Sequence, residues 1–418
     1  MVLSVDSLCS SMEAMEEEVV IIGAGISGLA TALGLHRKGI RSVILESSES
    51  LRASGFAITL WTNAWKALDA LGIADSLRRA HLRLQRIVAK SPASGGITAQ
   101  ISFSAQEKRG EFEGRCLRRK LLLEALAKEL PPGTIRYSSK VVGIEEDGYL
   151  KLLHLADGSI LKTKVLLGCD GVNSVVSKWL GLSKPSFSGR SAIRGFTEFP
   201  QGHGFKHEFL QYSGEGYRLG FLTSDEKSIY WFFTWTPTDQ DRDAEDNASK
   251  MKQLILSKMH KSNLPVKIIE VVEKTEMSGL VCSPLRYRWP SDLLTGNISK
   301  GNVSVAGDAF HPMTPDLGQG GCSALEDAIV LARSLGGALL EARLCKTEEE
   351  EYEIIKKSLE KYAKERRWRS FDLVASSYLV GYVLQNDGAV ISFLRDKCLS
   401  GILARALFKK AEFDCGEI

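Results

Sequence analysis

Apolar runs of two different periods divide the chain. Val19-Val-Ile-Ile22 is short and wholly apolar, the pattern of a strand buried on both faces. Gly23-Ala-Gly-Ile-Ser-Gly28 follows it directly and opens a helix through about Lys38, and the next strand, 41–45, is closed by Glu46. A glycine-containing loop, 51–58, leads into a strand and then into helical segments over 62–79. Alternation predicts strands at 82–90 and 97–104, and 118–130 is an amphipathic helix stopped by Pro131-Pro132. Short strands follow near Ile135, Val141 and over 150–155, with Asp157-Gly158 as a hairpin turn. A second buried strand, 165–168, runs into Cys169-Asp170-Gly171, and Ser174 starts a short helix.

From Gly189 to Trp235 the period changes to two, with aromatic-rich strands at 205–212, 217–223 and 228–235. This is the pattern of an antiparallel meander in a second domain. Polar helices at 244–261 and 266–274 precede the stretch 301–333, which passes from a short apolar strand through a Gly/Pro-rich loop into a long helix opening near Gly320. A charged helix at 348–378 and a shorter amphipathic one at 393–410 complete the chain. The last has the character of a membrane-surface helix, although such helices more often pack on their own protein. The architecture expected is α/β: a discontinuous Rossmann-like dinucleotide domain, an inserted mainly antiparallel sheet domain and C-terminal helices.

Composition narrows the function classes. At 418 residues the chain exceeds one ordinary core, consistent with two units. A formal charge of +3, spread without aromatic interleaving, argues against a nucleic-acid partner. Eight cysteines lie far apart with no CxxC pair, which points away from a metal site and toward a reducing, cytoplasmic compartment. Residues 1–16 end in acidic residues, unlike a transit peptide, and are expected to be a disordered tail.

The candidate chemistry lies in the turns. Strand, glycine turn, helix, strand and acid, in that order, form a dinucleotide-binding unit. Gly23 allows the tight turn, Gly25 lets backbone approach a pyrophosphate, Gly28 lets helix and strand pack closely, and Glu46 is placed for a ribose. Asp170 stands at a strand's C-terminal end, where ligand contacts collect in an open α/β sheet. The Gly/Pro-rich loop delivers backbone N–H groups to a helix N-terminus and so suits an electron-rich group. The arginines opening the 118–130 helix either hold a phosphate or stay solvated. His311 invites a base or a covalent cofactor link, but its place before Pro312 favours ordering the loop. Arg190, Arg194, His207, Tyr212 and Trp231 are candidates to line a substrate cavity.

Together, Gly23 to Gly28, Cys169-Asp170-Gly171 and Gly307-Asp308 resemble the signatures of the flavin-dependent aromatic hydroxylases, single-component monooxygenases with a p-hydroxybenzoate hydroxylase-like fold. The resemblance covers about 17–345. The wording of 307–327 is most similar to plant monooxygenases related to zeaxanthin epoxidase. It implies non-covalent FAD, with Glu46 on its ribose, Gly55 and Ala57 in the loop passing the flavin, and Arg119 near the phosphates. Asp170 is implied to serve both FAD and the nicotinamide donor, and Asp308 to hold the ribityl chain. Pro315, Gly318, Gln319, Gly320 and Gly321 lie against the ring, and Ser27, Val141 and Gly307 complete the cofactor contacts.

The implied FAD-binding domain comprises 17–82, 109–182 and 285–345, the substrate domain 83–108 and 183–284, and a helical region 346–418. The implied reaction uses NADPH or NADH and dioxygen to hydroxylate or epoxidise a small electron-rich compound through a flavin C4a-hydroperoxide. No side chain is assigned a catalytic role, because the flavin does the chemistry. The alternatives are a catalytically silent FAD- or ligand-binding regulatory protein, a flavin-dependent reductase and a halogenase. The last is disfavoured because Trp231-Phe-Phe-Thr-Trp-Thr-Pro237 departs from a WxWxIP segment.

Overall fold

The structure is a computed structural model that describes residues 15–51, 57–92, 94–103, 112–214, 216–238, 241, 247–385 and 407–418. The first half contains β1 (Met15–Ile22), α1 (Ile26–Arg37), β2 (Val43–Leu45), β3 (Ala57–Trp61), α2 (Thr62–Leu71), α3 (Ala74–Ala80), β4 (Arg86–Lys90), β5 (Ile97–Ser102), β6 (Gly114–Arg118), α4 (Arg119–Lys128), β7 (Ile135–Arg136), β8 (Val141–Asp147), β9 (Leu150–Leu155), β10 (Ile160–Gly168) and α5 (Val175–Trp179). The second half contains β11 (Ser186–Glu198), β12 (Glu208–Gly214), β13 (Tyr217–Asp225), β14 (Ser228–Trp235), α6 (Ala248–Lys261), α7 (Val266–Glu273), β15 (Leu280–Tyr287), α8 (Pro290–Thr295), β16 (Ser299–Lys300), β17 (Val303–Val305), α9 (Gly320–Ala342) and α10 (Glu348–Gln385).

Val19 to Ile22, Val165 to Leu167 and Val303 to Val305 are buried because their strands lie side by side in the interior of one sheet. Its order is β16-β17-β10-β1-β2-β7, parallel from β17 to β7, with the β8–β9 hairpin attached to β10. The sheet is therefore discontinuous in sequence, since β17 pairs with β10 only after the second sheet has intervened. α1 and α9 cover it and touch closely: a Cβ on Gly34 would meet the Ala332 methyl at 2.6 Å. β1 starts at Met15, ahead of the apolar run, because Glu16 and Glu17 continue the ladder to Lys162 and Thr163.

The second sheet has the order β15-β11-β14-β13-β12-β4-β5 and is antiparallel except between β12 and β4. Its period-two pattern sends Ile229, Trp231, Phe233 and Trp235 of β14 into a core with Met251, Ile255 and Met259 of α6 and Ile268, Val271 and Val272 of α7. The opposite face is left for the site. The β3–β6 pair ties the two sheets together through the Ser224 hydroxyl on Cys116 O at 3.2 Å and Arg118 on the Ser228 hydroxyl at 2.9 Å.

The α/β architecture with an inserted antiparallel sheet and C-terminal helices is thus as expected. Several boundaries move: the strand expected over 82–90 begins at Arg86, and the one expected over 165–168 begins at Ile160. The strand expected from 205 begins at Glu208, and the helix expected from 244 begins at Ala248, where the side-chain oxygen of Asn247 caps the N–H groups of Ser249 and Lys250. The charged helix runs on to Gln385. Of the expected 393–410 helix, residues up to 406 lie outside the described ones. Phe408, beyond them, packs edge-on against Phe112 at 4.4 Å, and Lys410 O accepts from Arg369 at 2.7 Å. No helix among the described residues is long and apolar enough to cross a membrane.

Candidate active site

Each glycine of the first turn has a different reason to be glycine. Gly23 has φ +100, and a Cβ there would sit 2.6 Å from Cys169 O. A Cβ on Gly28 would meet Gly23 O at 2.0 Å. Gly25 has an ordinary φ of −79, and a Cβ on it would meet nothing within 4 Å. Neither conformation nor packing among the described residues requires a glycine there, so the space it leaves suits a bound group. The first turn of α1 has no side-chain cap and no acidic residue, which leaves its N–H groups and positive dipole end open. Glu46 is buried beneath this turn, where its carboxylate accepts from Ala24 N at 2.8 Å and Ser48 N at 2.9 Å.

The second loop leaves β17 through Gly307, in the left-handed region at φ +61, whose N–H donates to Asp327 at 2.8 Å. Arg288, almost wholly buried, donates to Phe310 O at 2.9 Å and Ala309 O at 3.1 Å and so braces the loop; burial pushes its pKa down to about 10. Asp308 lies deep in the molecule, but its side chain opens into a cavity and is accessible there. Desolvation raises its carboxyl pKa, partly opposed by His311 and Arg119. His311 itself is fully buried, 2.6 Å from Asp327, and serves the loop. Burial alone would raise Asp327, but His311 and Arg366 outweigh it and hold the carboxyl at about 2.

The loop then turns at Pro315–Leu317 and reaches α9 through Gly318 (φ +61) and Gln319. Like α1, α9 opens without a side-chain cap or an acidic first turn. A Cβ on Gly320 would find only Met313 at 3.9 Å, so this glycine too faces open space. Gln319 points the other way. Its side chain is fully buried and accepts from Asn63 at 2.8 Å, so only its backbone stays beside the loop.

A cavity of about 860 Å³ joins these loops to the second sheet. Its floor is the face of that sheet turned away from α6 and α7. The rows are read across the strands: Tyr230, Leu222, Phe209, Ile87 and Ile101 form an apolar row, and Thr234, Arg218 and Ser213 a polar one. Between them run Arg194, Phe232 and Gln211. Gly220 makes room in this middle row, since a Cβ there would lie 2.4 Å from the Phe232 ring. Asp316 joins loop to floor, with Arg190 at 2.8 Å and Arg218 at 3.4 Å, all three side chains being at least nine-tenths buried.

Of the residues expected from sequence, Gly25, Ser27, Ala57, Arg119, Gly307, Asp308, Pro315, Gly318, Gly320 and Gly321 stand together around this cavity. Arg119 faces it while Arg118 turns away to Glu198 and Ser228, which separates the two arginines that the sequence left equivalent. Gly23, Gly28 and Glu46 are not among the residues that line the cavity. Val141 is buried in the core of the first sheet, away from the cavity. Asp170 sits beside the wall residues Cys169 and Gly171; one carboxylate oxygen accepts from Val175 N at 2.7 Å, and the other is buried with no partner among the described residues. Gly55 lies outside the described residues.

Among the candidates for the substrate side, only Arg194 reaches the cavity wall. Tyr212 and Trp231 face the opposite core, Arg190 is taken by Asp316, and His207 leans toward Glu226. Arg218 went unnoticed in the sequence, although alternation from the apolar Tyr217 and Leu219 puts it on the other face.

Comparison with known proteins agrees with this geometry. Residues 16–361 match the FAD binding domain family. The chain is 53% identical over 412 residues to Monooxygenase 2 of Arabidopsis thaliana, covering 97% of this chain and 100% of that protein. It is 38% identical over 421 residues to Monooxygenase 1 of the same plant, again with 97% and 100% coverage. Among solved structures, Klebsiella pneumoniae HpxO complexed with FAD and uric acid shares the fold, with a TM-score of 0.79 at 22% identity and coverage of 95% and 96%.

Proposed function

The chain belongs to the family of FAD-dependent monooxygenases, and on that premise we propose that it uses NADPH or NADH together with dioxygen to hydroxylate or epoxidise a small electron-rich organic compound. The observation that carries this reading is the shape of the cavity. One end is walled by two glycine loops with open helix N-termini, and its floor is an aromatic sheet face, so cofactor and substrate would share one cavity.

The residues present fit FAD. Gly25 and Gly320 are bare toward open space, Asp170 keeps an unpartnered buried oxygen, and Arg119 supplies a cation at the wall. The α1 N-terminus and Arg119 would hold the pyrophosphate, Glu46 the ribose, and Asp308 the ribityl hydroxyls. Backbone N–H groups from Gly318 to Gly321 would face negative charge at the ring, and here Gln319 contributes main chain only. Bound FAD supplies the redox chemistry, accepting electrons from the nicotinamide and delivering one oxygen atom of dioxygen to the substrate. The protein's own part is to exclude water and to orient the substrate on Tyr230, Phe232 and Arg194. The free thiols of Cys116, Cys169, Cys282, Cys322, Cys345 and Cys415 support a reducing, cytoplasmic setting.

The test is NAD(P)H oxidation followed with an oxygen electrode across a panel of aromatic acids, phenols and terpenoids. Stoichiometric oxygen uptake, stimulated by the right compound, is expected. Nucleotide oxidation that consumes no oxygen under any of these conditions would refute the proposal.

A further inference from the structure

α10 packs along α9 and meets the cavity through Val380 near its end; well before that it carries a fully buried arginine and a mostly buried one that connect to both ends of the Gly307-to-Gly321 loop. Arg366 is fully buried and donates from Nε to Asp327 at 2.7 Å and from Nη2 to Glu326 at 2.7 Å. The other oxygen of Asp327 holds Gly307 N at 2.8 Å and His311 at 2.6 Å, where the loop begins. The other oxygen of Glu326 accepts at 2.6 Å from Asn63, whose amide also donates to Gln319 at 2.8 Å, where the loop ends. Arg369 adds a second cation on Glu326 at 2.7 Å.

A buried ion network of this kind adds little net stability compared with a well-packed apolar replacement, because desolvation offsets most of the attraction. Its distinctive property is geometry. The planar fork of Arg366 can bind two carboxylates at once in fixed directions, which a lysine's single ammonium cannot do. Each carboxylate hands that direction on to one end of the loop.

We propose that Arg366 is a positioning residue for the cofactor loop: by fixing Asp327 and Glu326 it sets where Asp308 and the Gly318-to-Gly321 amides stand. This rests on the reading that the loop receives FAD. It places a determinant of the site in a residue that is not part of the cavity wall, on a helix that meets the cavity through Val380 instead.

The test titrates apoprotein with FAD and follows flavin fluorescence and the visible absorption bands, beside the melting temperature of each apoprotein. Arg366→Lys keeps the charge and loses the fork. The double variant Arg366→Gln with Asp327→Asn removes one charge of each sign, leaves the Glu326–Arg369 pair intact, and gives a folded comparison should Arg366→Lys not fold. Both are expected to raise the Kd for FAD about tenfold, the scale on which outer-sphere partners tune a bound group, and to shift the flavin bands, with the apoprotein melting near wild type. Arg367→Met is the control. It removes contacts of the neighbouring arginine to Leu293 O and Leu294 O at 2.7 and 2.8 Å, so it should lower the melting temperature and leave Kd alone. Wild-type Kd and spectra in the folded Arg366 variants would overturn the proposal, as would an equal loss of affinity in Arg367→Met. Failure of wild-type protein to bind FAD would instead overturn the cofactor reading beneath it.

Discussion

Gly25→Ala separates the ligand role of a glycine from its folding role. Gly25 is the N-cap of α1 with φ −79 and ψ −175, extended backbone that alanine adopts without strain. Its added methyl would meet no atom of the described residues within 4 Å. Two small terms then act on the apoprotein. Loss of unfolded-chain freedom stabilises it by about 0.4–1 kcal/mol, and alanine is a poorer N-cap than glycine by roughly 0.5–1 kcal/mol. The sum is near zero, so the melting temperature should move by no more than roughly 2 °C. FAD affinity behaves differently, because a methyl on the pyrophosphate path displaces one charge-assisted hydrogen bond, worth about 1.5–3 kcal/mol. That corresponds to a Kd raised roughly tenfold to a hundredfold. Gly28→Ala is the contrast: its methyl would lie 2.0 Å from Gly23 O and should destabilise the apoprotein itself. Scanning fluorimetry of both apoproteins and flavin fluorescence titration of Gly25→Ala decide the matter. A Gly25→Ala apoprotein that melts far below wild type, or one that binds FAD with wild-type Kd, would refute the reasoning.

Three further outcomes are expected. Asp308→Asn should raise the melting temperature of the apoprotein near neutral pH while weakening FAD binding. The folded carboxyl pKa lies above its unfolded value, so the charge costs nothing below the unfolded pKa and its full penalty above the folded one; an apoprotein that melts lower would contradict this. Asp316→Asn leaves Arg190 and Arg218 buried without their counter-charge and should cost about 3–5 kcal/mol in urea unfolding; a loss below about 1 kcal/mol would show that solvent reaches the pair. Asp327, held at about 2, contributes stability that is present above its unfolded pKa and lost as pH falls toward 2. Its share of the acid limb is about 2–3 kcal/mol, and an Asp327→Asn stability profile with an unchanged acid limb would exclude it.

Much of this was legible in the sequence because the signals are local. A wholly apolar run between turns identifies a strand covered on both sides, and Gly23 to Gly28 with Glu46 is one contiguous device. Harder to read was the sign of an alternation. On β14 both faces are aromatic, Tyr230 and Phe232 on one and Trp231 and Phe233 on the other, so hydropathy cannot say which meets the cavity. Only the docking of α6 and α7 decides, which is why Tyr212 and Trp231 were candidates and Arg218 was not. Gln319 escaped for a similar reason, since its burial depends on Asn63, far away in the chain. The Arg366 network was invisible because a charged helix reads as solvated until its partner acids on α9 are placed.

The pairing of β17 with β10 bears on synthesis. β10 is complete when Gly168 leaves the ribosome, with β9 already along Ile160 to Thr163, but the neighbour for the Leu166 to Gly168 end of that edge begins at Val303. At 5–20 residues per second that gap lasts roughly 7–27 s, during which an apolar strand edge stands open to pairing with other chains. The first glycine turn is finished long before, but without β17, Gly307 and the α9 N-terminus the nascent chain has only half a cofactor cradle. Flavin supply therefore cannot rescue the early intermediate. Holding that edge during translation falls to chaperones or to the speed at which the second sheet folds, and slow or stalled synthesis between these two strands is where yield of this protein should be most easily lost.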